Sequence, residues 1–364
     1  MSTAHPLSAD SERGLLEAAR GGDGDAYGRL VEGRRGELLA HCYRMLGSVQ
    51  DAEDALQDAL LRAWRGLRGF DGRSSLRSWL YRIATNACLD AISRRKARVL
   101  SAAHGPPAAP GEAPALPVTE SAFIEPFPDE ALGVADDLAS PEARYEQRES
   151  VELAFVAAMQ HLPARQRAVL ILRDVLAFSA KETSETLGTT VASANSALQR
   201  ARRTLDGDLP DRSQQAELRA LGDEGARGLV ERYTGALQKG DVEGVVALLT
   251  EDVTWSMPPV PTWYRGEAVA GFLSAHALSV RWRHVPARAS GQLAVGCYAW
   301  DPTAGDFVAS VLDVLTLRDG RIAAVDGFST AETFRRLVAD GPPYTPSAIF
   351  GRFGLPERLP GGYR

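Results

Sequence analysis

Residues 101–145 carry eight prolines, and no sustained apolar period runs between them. Proline has no backbone N–H to give a helix or an inner strand, and its ring collides with the preceding turn. No helix or strand of ordinary length can therefore pass through this stretch. The 364 residues must fold as separate parts on either side of it, two or three domains in all. Charge changes sign at the same place. Residues 61–100 hold ten Arg and Lys against two Asp, whereas residues 101–149 hold ten Asp and Glu against two Arg. The formal net charge of −6 conceals this alternation. It predicts a basic surface suited to a polyanion, followed by a flexible acidic linker over 99–147. With 45% hydrophobic residues the rest can build globular cores. The apolar runs are too short to cross a bilayer, and MSTAHPLSADSERG has no basic-then-apolar leader, so the expectation is a cytoplasmic chain with no membrane partner. Cys42, Cys88 and Cys297 lie far apart. Such spacing predicts neither a disulfide framework nor a zinc site.

Before the proline stretch the apolar period is that of helices, at 11–20, 25–46, 51–64 and 74–98. In DAEDALQDALLRAW (51–64), Ala52, Ala55, Leu56, Ala59, Leu60, Ala63 and Trp64 form one buried stripe. The opposite face is unusual: Asp54, Gln57 and Asp58 share neighbouring turns with Leu61, a leucine among carboxylates. The next helix, 74–98, carries Ser74, Arg77, Arg82, Asn86, Arg94 and Arg95 beside Trp79 and Tyr81, with Arg73 just before it. Arginines attract phosphates through approximate geometry, and flat rings can stack on unpaired bases. Trp79 also adjoins the stripe Leu76, Leu80, Ile83, Ala84 and Ala87, which favours a core residue.

Helical patterning returns over 149–205. In FSAKETSETLGTTVASANSALQRARRTL (178–205), Ser179 and Glu182 have capping-box spacing, and Gly188 permits the left-handed turn that ends the first helix. Thr189 or Thr190 can cap the second. Val191, Ala194, Leu198, Ala201 and Leu205 are expected to face inward. Thr190, Ser193, Asn195, Ser196, Gln199, Arg200, Arg202 and Arg203 then face outward, short polar groups before later arginines. This is the order in which a recognition helix meets base edges and then phosphates.

The residues 162–202, LPARQRAVLILRDVLAFSAKETSETLGTTVASANSALQRAR, resemble the promoter-binding region 4 of extracytoplasmic-function RNA polymerase sigma factors. CYRMLGSVQDAEDALQDALLRAWRGL followed by SLRSWLYRIATNACLDAISRR resembles their region 2. The resemblance implies region 2 over 11–98, a linker over 99–147 and region 4 over 148–209. It further implies core RNA polymerase and promoter DNA as partners. On this view Asp51, Asp54, Gln57, Asp58 and Leu61 meet the polymerase. Arg73, Ser74, Arg77, Trp79, Arg82, Asn86, Arg94 and Arg95 meet the −10 element, and Thr190, Ser193, Asn195, Ser196, Gln199, Arg200 and Arg203 the −35 element. No phosphate-cradling loop, metal cluster or nucleophile elbow occurs, so no cofactor, no metal and no catalysis are expected of this half.

After residue 205 the pattern mixes helices (225–239, 242–249, 267–278) with strand-like segments, VRWRHVPARAS, LAVGCYAW, FVASVLDVLTL and RIAAVDGFS. Asp319-Gly320 reads as a hairpin turn. This order resembles the SnoaL-like domains, over 222–338. The expected fold class is multidomain, an all-α N-terminal half followed by an α+β, cone-shaped SnoaL-like barrel. A tail over 339–364 contributes Ile349, Phe350, Phe353 and Leu355 as a short apolar segment. The resemblance implies an apolar pocket that Trp255, Met257, Trp263, Tyr264, His276, Trp282, His284 and Asp326 line or guard, open to a small-molecule ligand. Some relatives of this fold are enzymes with an Asp/His pair, for which His276, His284 and Asp326 are the candidates here. Regulation of the sigma regions in cis is the preferred reading. A ligand-sensing helix-turn-helix repressor, or an isomerase or cyclase with a DNA-binding appendage, remain the alternatives.

Overall fold

A computed structural model describes residues 9–94, 98–118, 123–132, 147–207, 209–338 and 346–362. The chain forms two compact units, Met1–Arg98 with Glu130–Pro210, and Val99–Asp129 with Asp211–Arg364.

The first unit is helical: α1 Ala9–Arg20, α2 Gly24–Glu32, α3 Arg35–Leu46, α4 Val49–Gly66, α5 Leu76–Ile92, α6 Leu153–Gln160, α7 Ala164–Leu170, α8 Ala180–Thr186 and α9 Val191–Leu205. The single helix expected over 25–46 is two. It breaks at Gly33 and Arg34, where Arg34 turns to pair with Glu12 at 2.6 Å. Ser48 caps α4 by accepting from the Asp51 N–H, and Ser75 caps α5. Beyond Leu170 the helix widens into a π turn over Ile171–Val175. The capping box of Ser179 and Glu182 is complete, and Gly188 adopts φ +58° as the turn between α8 and α9 requires. Regions 2 and 4 share this unit through a buried arginine. Arg167 donates to the carbonyls of Met45, Met159, Gln160 and Leu162. Beside it Phe178 packs edge-on to Tyr81, and Arg77 stacks on both rings at 5.0 Å.

The second unit is α+β. Helices α10 Gln214–Lys239, α11 Val242–Val246 and α12 Glu267–Ala275 pack with strands β1 Leu249–Ser256, β2 Trp263–Arg265, β3 Trp282–Ala289, β4 Gln292–Asp301, β5 Asp306–Arg318 and β6 Arg321–Phe328. Helix α13 Ala331–Val338 and strand β7 Arg358–Pro360 follow. The sheet order is β2-β1-β6-β5-β4-β3, antiparallel except for β1 with β6, and β7 continues the row beyond β6 along β5. Asp319 and Gly320 both take positive φ in the β5–β6 hairpin. α10 bends at Gly222, whose φ of 72° and ψ of 164° no helix contains. Its Gln214 amide both donates to and accepts from Leu317, fixing the helix to β5. Tyr233, Trp255, Phe272, Val295 and Leu315 belong to one buried core. The tail also finds its place here: Phe350 is fully buried against Tyr298, with ring centroids 5.1 Å apart.

The linker departs from its expected flexibility. Residues 99–118 and 123–129 lie on the second unit. The Ala108 N–H donates to Trp263 O at 2.8 Å, and Val118 N–H to Pro259 O at 3.0 Å. Farther along, Phe127 and Ser290 exchange two hydrogen bonds, and Gly291 N–H donates to Asp129. Strand β2 is a sheet edge, and its open Trp263 carbonyl takes Ala108, while Ser290 and Gly291 of the β3–β4 turn hold the later part of the linker. Prolines that forbid regular structure still leave carbonyls and the intervening N–H groups free for such docking.

Candidate functional site

The acidic face of α4 divides on inspection. Asp54, Gln57, Asp58 and Leu61 are exposed, Leu61 at 49%. Leu61 borders a groove shared with Tyr27, Gln57, Leu60 and Trp64. Asp51 does not join them. Its side chain is only 8% exposed, and Arg98 Nη2 holds it at 2.8 Å. A buried carboxylate with a buried partner fastens the end of region 2 to α4 and is withdrawn from any partner surface. Arg62 bridges Asp58 at 2.7 Å and Asp90 at 2.8 Å, setting a cation at the rim.

On α5, Arg82 and Asn86 are exposed, as is Arg94 just after its end, and Arg73 is exposed while paired with Asp71 at 3.0 Å. Ser74 is half-buried. Trp79 is a correction: it is buried, 5.1 Å from Phe70, and presents no face to a base. Arg77 is half-buried between Tyr81 and Phe178, with Glu37 at 3.7 Å, so it too is engaged within the unit. Arg95 lies outside the described residues. On α9, Ser193, Asn195, Ser196, Gln199, Arg200 and Arg203 are exposed. Thr190 is the N-cap, accepting from Ser193 N–H at 3.1 Å. Two details differ from the sequence reading. Val191 is 42% exposed rather than inward, and Arg202 is held by Asp174 through contacts of 2.6 and 2.9 Å.

In the second unit one cavity encloses about 640 Å³, mouth included. Of the expected residues, Trp255, Met257, His276, Trp282 and His284 line it. Trp263, Tyr264 and Asp326 do not. Trp263 Nε1 donates to Gly105 O and Tyr264 Oη to Glu112 O, both at 2.9 Å, so these rings hold the linker. Asp326 accepts from Ser256 Oγ at 2.6 Å, and burial pushes its carboxyl up to about 6. The acid that does line the cavity is Asp313, which accepts from Tyr233 Oη at 3.0 Å and Cys297 Sγ at 3.3 Å. Burial pushes it up to about 6 as well, and pushes the His284 imidazole down to about 4. Between about pH 4 and 6 both cavity groups are therefore mainly neutral. A lone acid within FVASVLDVLTL was a signal available in the sequence, because an unpaired carboxylate is expensive on a buried strand.

Comparison with known proteins agrees with this arrangement. Residues 30–98 match the family model of Sigma-70 region 2, residues 152–205 that of Sigma-70, region 4, and residues 230–325 that of the SnoaL-like domain. The ECF RNA polymerase sigma factor SigG of Mycobacterium tuberculosis is 39% identical over 348 residues, which cover 93% of this chain and 86% of that protein. The chain belongs to the extracytoplasmic-function RNA polymerase sigma factors. SigW of Bacillus subtilis, 29% identical, aligns over only 54% of this sigma factor but 95% of its own length. The crystal structure of Mycobacterium tuberculosis SigJ shares the fold at a TM-score of 0.51, covering 82% of this chain and 95% of that one at 22% identity. Sigma factors partner with core RNA polymerase and promoter DNA. Among the described residues no group of acids, histidines and cysteines could hold a metal, and no helix is long and apolar enough to cross a membrane.

Proposed function

We propose that this sigma factor docks on core polymerase through Asp54, Gln57, Asp58 and Leu61. Arg73, Arg82, Asn86 and Arg94 then face the −10 element, and the outer face of α9 faces the −35 element. The observation that carries the reading is Leu61, 49% exposed within a rim of exposed acids on a helix whose other face is core. An apolar centre with a charged rim is how a surface excludes water and fixes register with a basic partner. The repressor alternative gives that face no task.

Regulation in cis follows from distance. The −10 and −35 elements lie roughly 25 base pairs apart, ~85 Å at 3.4 Å per step. A compact unit of ~180 residues is only ~40 Å across. Regions 2 and 4 packed together cannot reach both elements, so the first unit must open, and the C-terminal domain that holds the linker controls the opening. Run-off transcription comparing the full chain with one ending at Leu209 tests this. Altered promoter-dependent transcription on removal of the domain is expected; identical transcription from both ends the cis-regulatory reading.

A further inference from the structure

The linker does more than cross the second unit. Pro114 is part of the cavity wall. Its surroundings are tied down on both sides: Gly105 and Glu112 by the Trp263 and Tyr264 side chains, Ala108 by Trp263 O, and Ala115 N–H by Thr262 Oγ1 at 2.9 Å. These partners all belong to β2 or the turn just before it, at the edge of the sheet. Deeper in, Leu237, Trp255, Phe272, Trp282, Val311 and Phe334 supply an apolar wall rich in aromatic surface.

Two polar groups interrupt that wall. Among the described residues both hydrogen bonds to Asp313 fall on Oδ2, from Tyr233 and Cys297. His284 contributes a buried Nδ1 that has no hydrogen-bond partner. The strand register brings them to one region: His284 pairs with Cys297 across β3–β4, and Cys297 touches Asp313 on β5. A buried polar atom without a partner is expensive, so the cavity favours an occupant that supplies one. Near pH 5, where the Asp313 carboxyl and the His284 imidazole are both mainly neutral, a charged occupant would lose its hydration against an apolar wall without a counter-charge.

We propose that the cavity binds an uncharged, mainly aromatic or alicyclic molecule carrying one hydroxyl or carbonyl oxygen, and that residues 105–118 of the inter-region linker form the lid of this site. The molecule sits against Pro114, and its oxygen meets Asp313 and His284. Because the lid is also the tether between regions 2 and 4, an occupant that binds only under the closed lid favours the docked linker. The shift is a factor of 1 + [L]/Kd, about a hundredfold at 100 Kd. The site stands on its own geometry. Only its consequence for transcription rests on the cis-regulatory reading above.

The test uses the full chain at pH 5 with neutral probes, 2-naphthol and 2-acetylnaphthalene, beside naphthalene, naphthalene-2-sulfonate and 2-naphthylmethylammonium. Calorimetry or tryptophan fluorescence reports binding, and hydrogen exchange of residues 108–118 reports the lid. The oxygenated neutral probes are expected to bind one per chain below 1 mM, at least fivefold tighter than naphthalene and the two ions. Exchange at 108–118 should slow tenfold or more at saturation. Ala277→Trp, at the half-exposed margin of the cavity, should abolish both effects while leaving the thermal transition in place. Val311→Trp fills the site from the β5 side as a second variant. Failure of every neutral probe to bind below 1 mM overturns the site, as does equal binding of the ions. Binding without slower exchange at 108–118 overturns the lid. A chain that binds and protects as expected, yet transcribes like its counterpart ending at Leu209, supports the site and removes the regulatory reading alone.

Discussion

Asp51 and Asp54 are three residues apart on α4 and have opposite surroundings. Asp51→Ala removes a buried ion-pair partner of Arg98 and should destabilise the first unit by about 3–5 kcal/mol. Asp54→Lys with Asp58→Lys changes two exposed residues and should leave urea unfolding within about 1 kcal/mol of the parent. The same double variant should weaken polymerase binding tenfold or more, as read by titration with labelled core enzyme. A second residue-scale prediction concerns pH. Asp313 and Asp326 have folded-state carboxyls raised from 3.8 to about 6, each a preference of about 3 kcal/mol for the neutral form. Between about pH 4 and 6 the folded chain keeps protons that the unfolded chain releases. The stability these two carboxyls contribute is therefore fully present below pH 4 and is lost as pH rises through 6, while His284, lowered to about 4, contributes the opposite slope over the same window. Asp313→Asn should remove one proton's share of that dependence, about 1.4 kcal/mol per pH unit between pH 4 and 6, in denaturant titrations followed by tryptophan fluorescence; an unchanged slope would count against the assignment.

At the scale of elements, α9 rests on local chemistry. Thr190→Ala removes the N-cap and should lower stability by about 1 kcal/mol. Arg200→Ala should weaken binding to a −35 duplex and reduce the salt dependence of log K by about 1, measured between 50 and 200 mM salt. Elements of this kind were legible in the sequence because their causes are local. The Ser179–Glu182 box, the turn at Gly188, the α4 stripe and the Asp319-Gly320 hairpin each depend on residues a few positions apart. The break at Gly33–Arg34 was hidden because the apolar period continues across it, and an ion pair to α1 stabilises the turn. Asp51 was misplaced for a similar reason: its partner Arg98 is distant in sequence. Strands β2 and β7, three residues each, carry too little pattern to read. The docked linker was the least legible of all, since its hydrogen bonds use backbone groups and composition says nothing of where a carbonyl finds a donor. Trp263 and Tyr264, expected to line or guard the pocket, do not line it and instead hold Gly105 and Glu112 of the linker.

For the molecule as a whole, the central fact is that regions 2 and 4 share one packed unit while the segment joining them lies on another. Arg77 and Phe178 stack at the contact between the two regions. Phe178→Ala should loosen it by about 3–5 kcal/mol, the range for truncating a buried phenylalanine. If closure restrains the factor, the variant should transcribe more than the parent at equal concentration. The account depends above all on this chain directing polymerase to promoters. The most direct measurement is run-off transcription from a promoter library, with purified core polymerase and the full chain, with and without Asp54→Lys and Asp58→Lys. Promoter-dependent transcripts that disappear on charge reversal are the predicted result. Absence of any such transcript, or transcripts indifferent to the reversal, would contradict it.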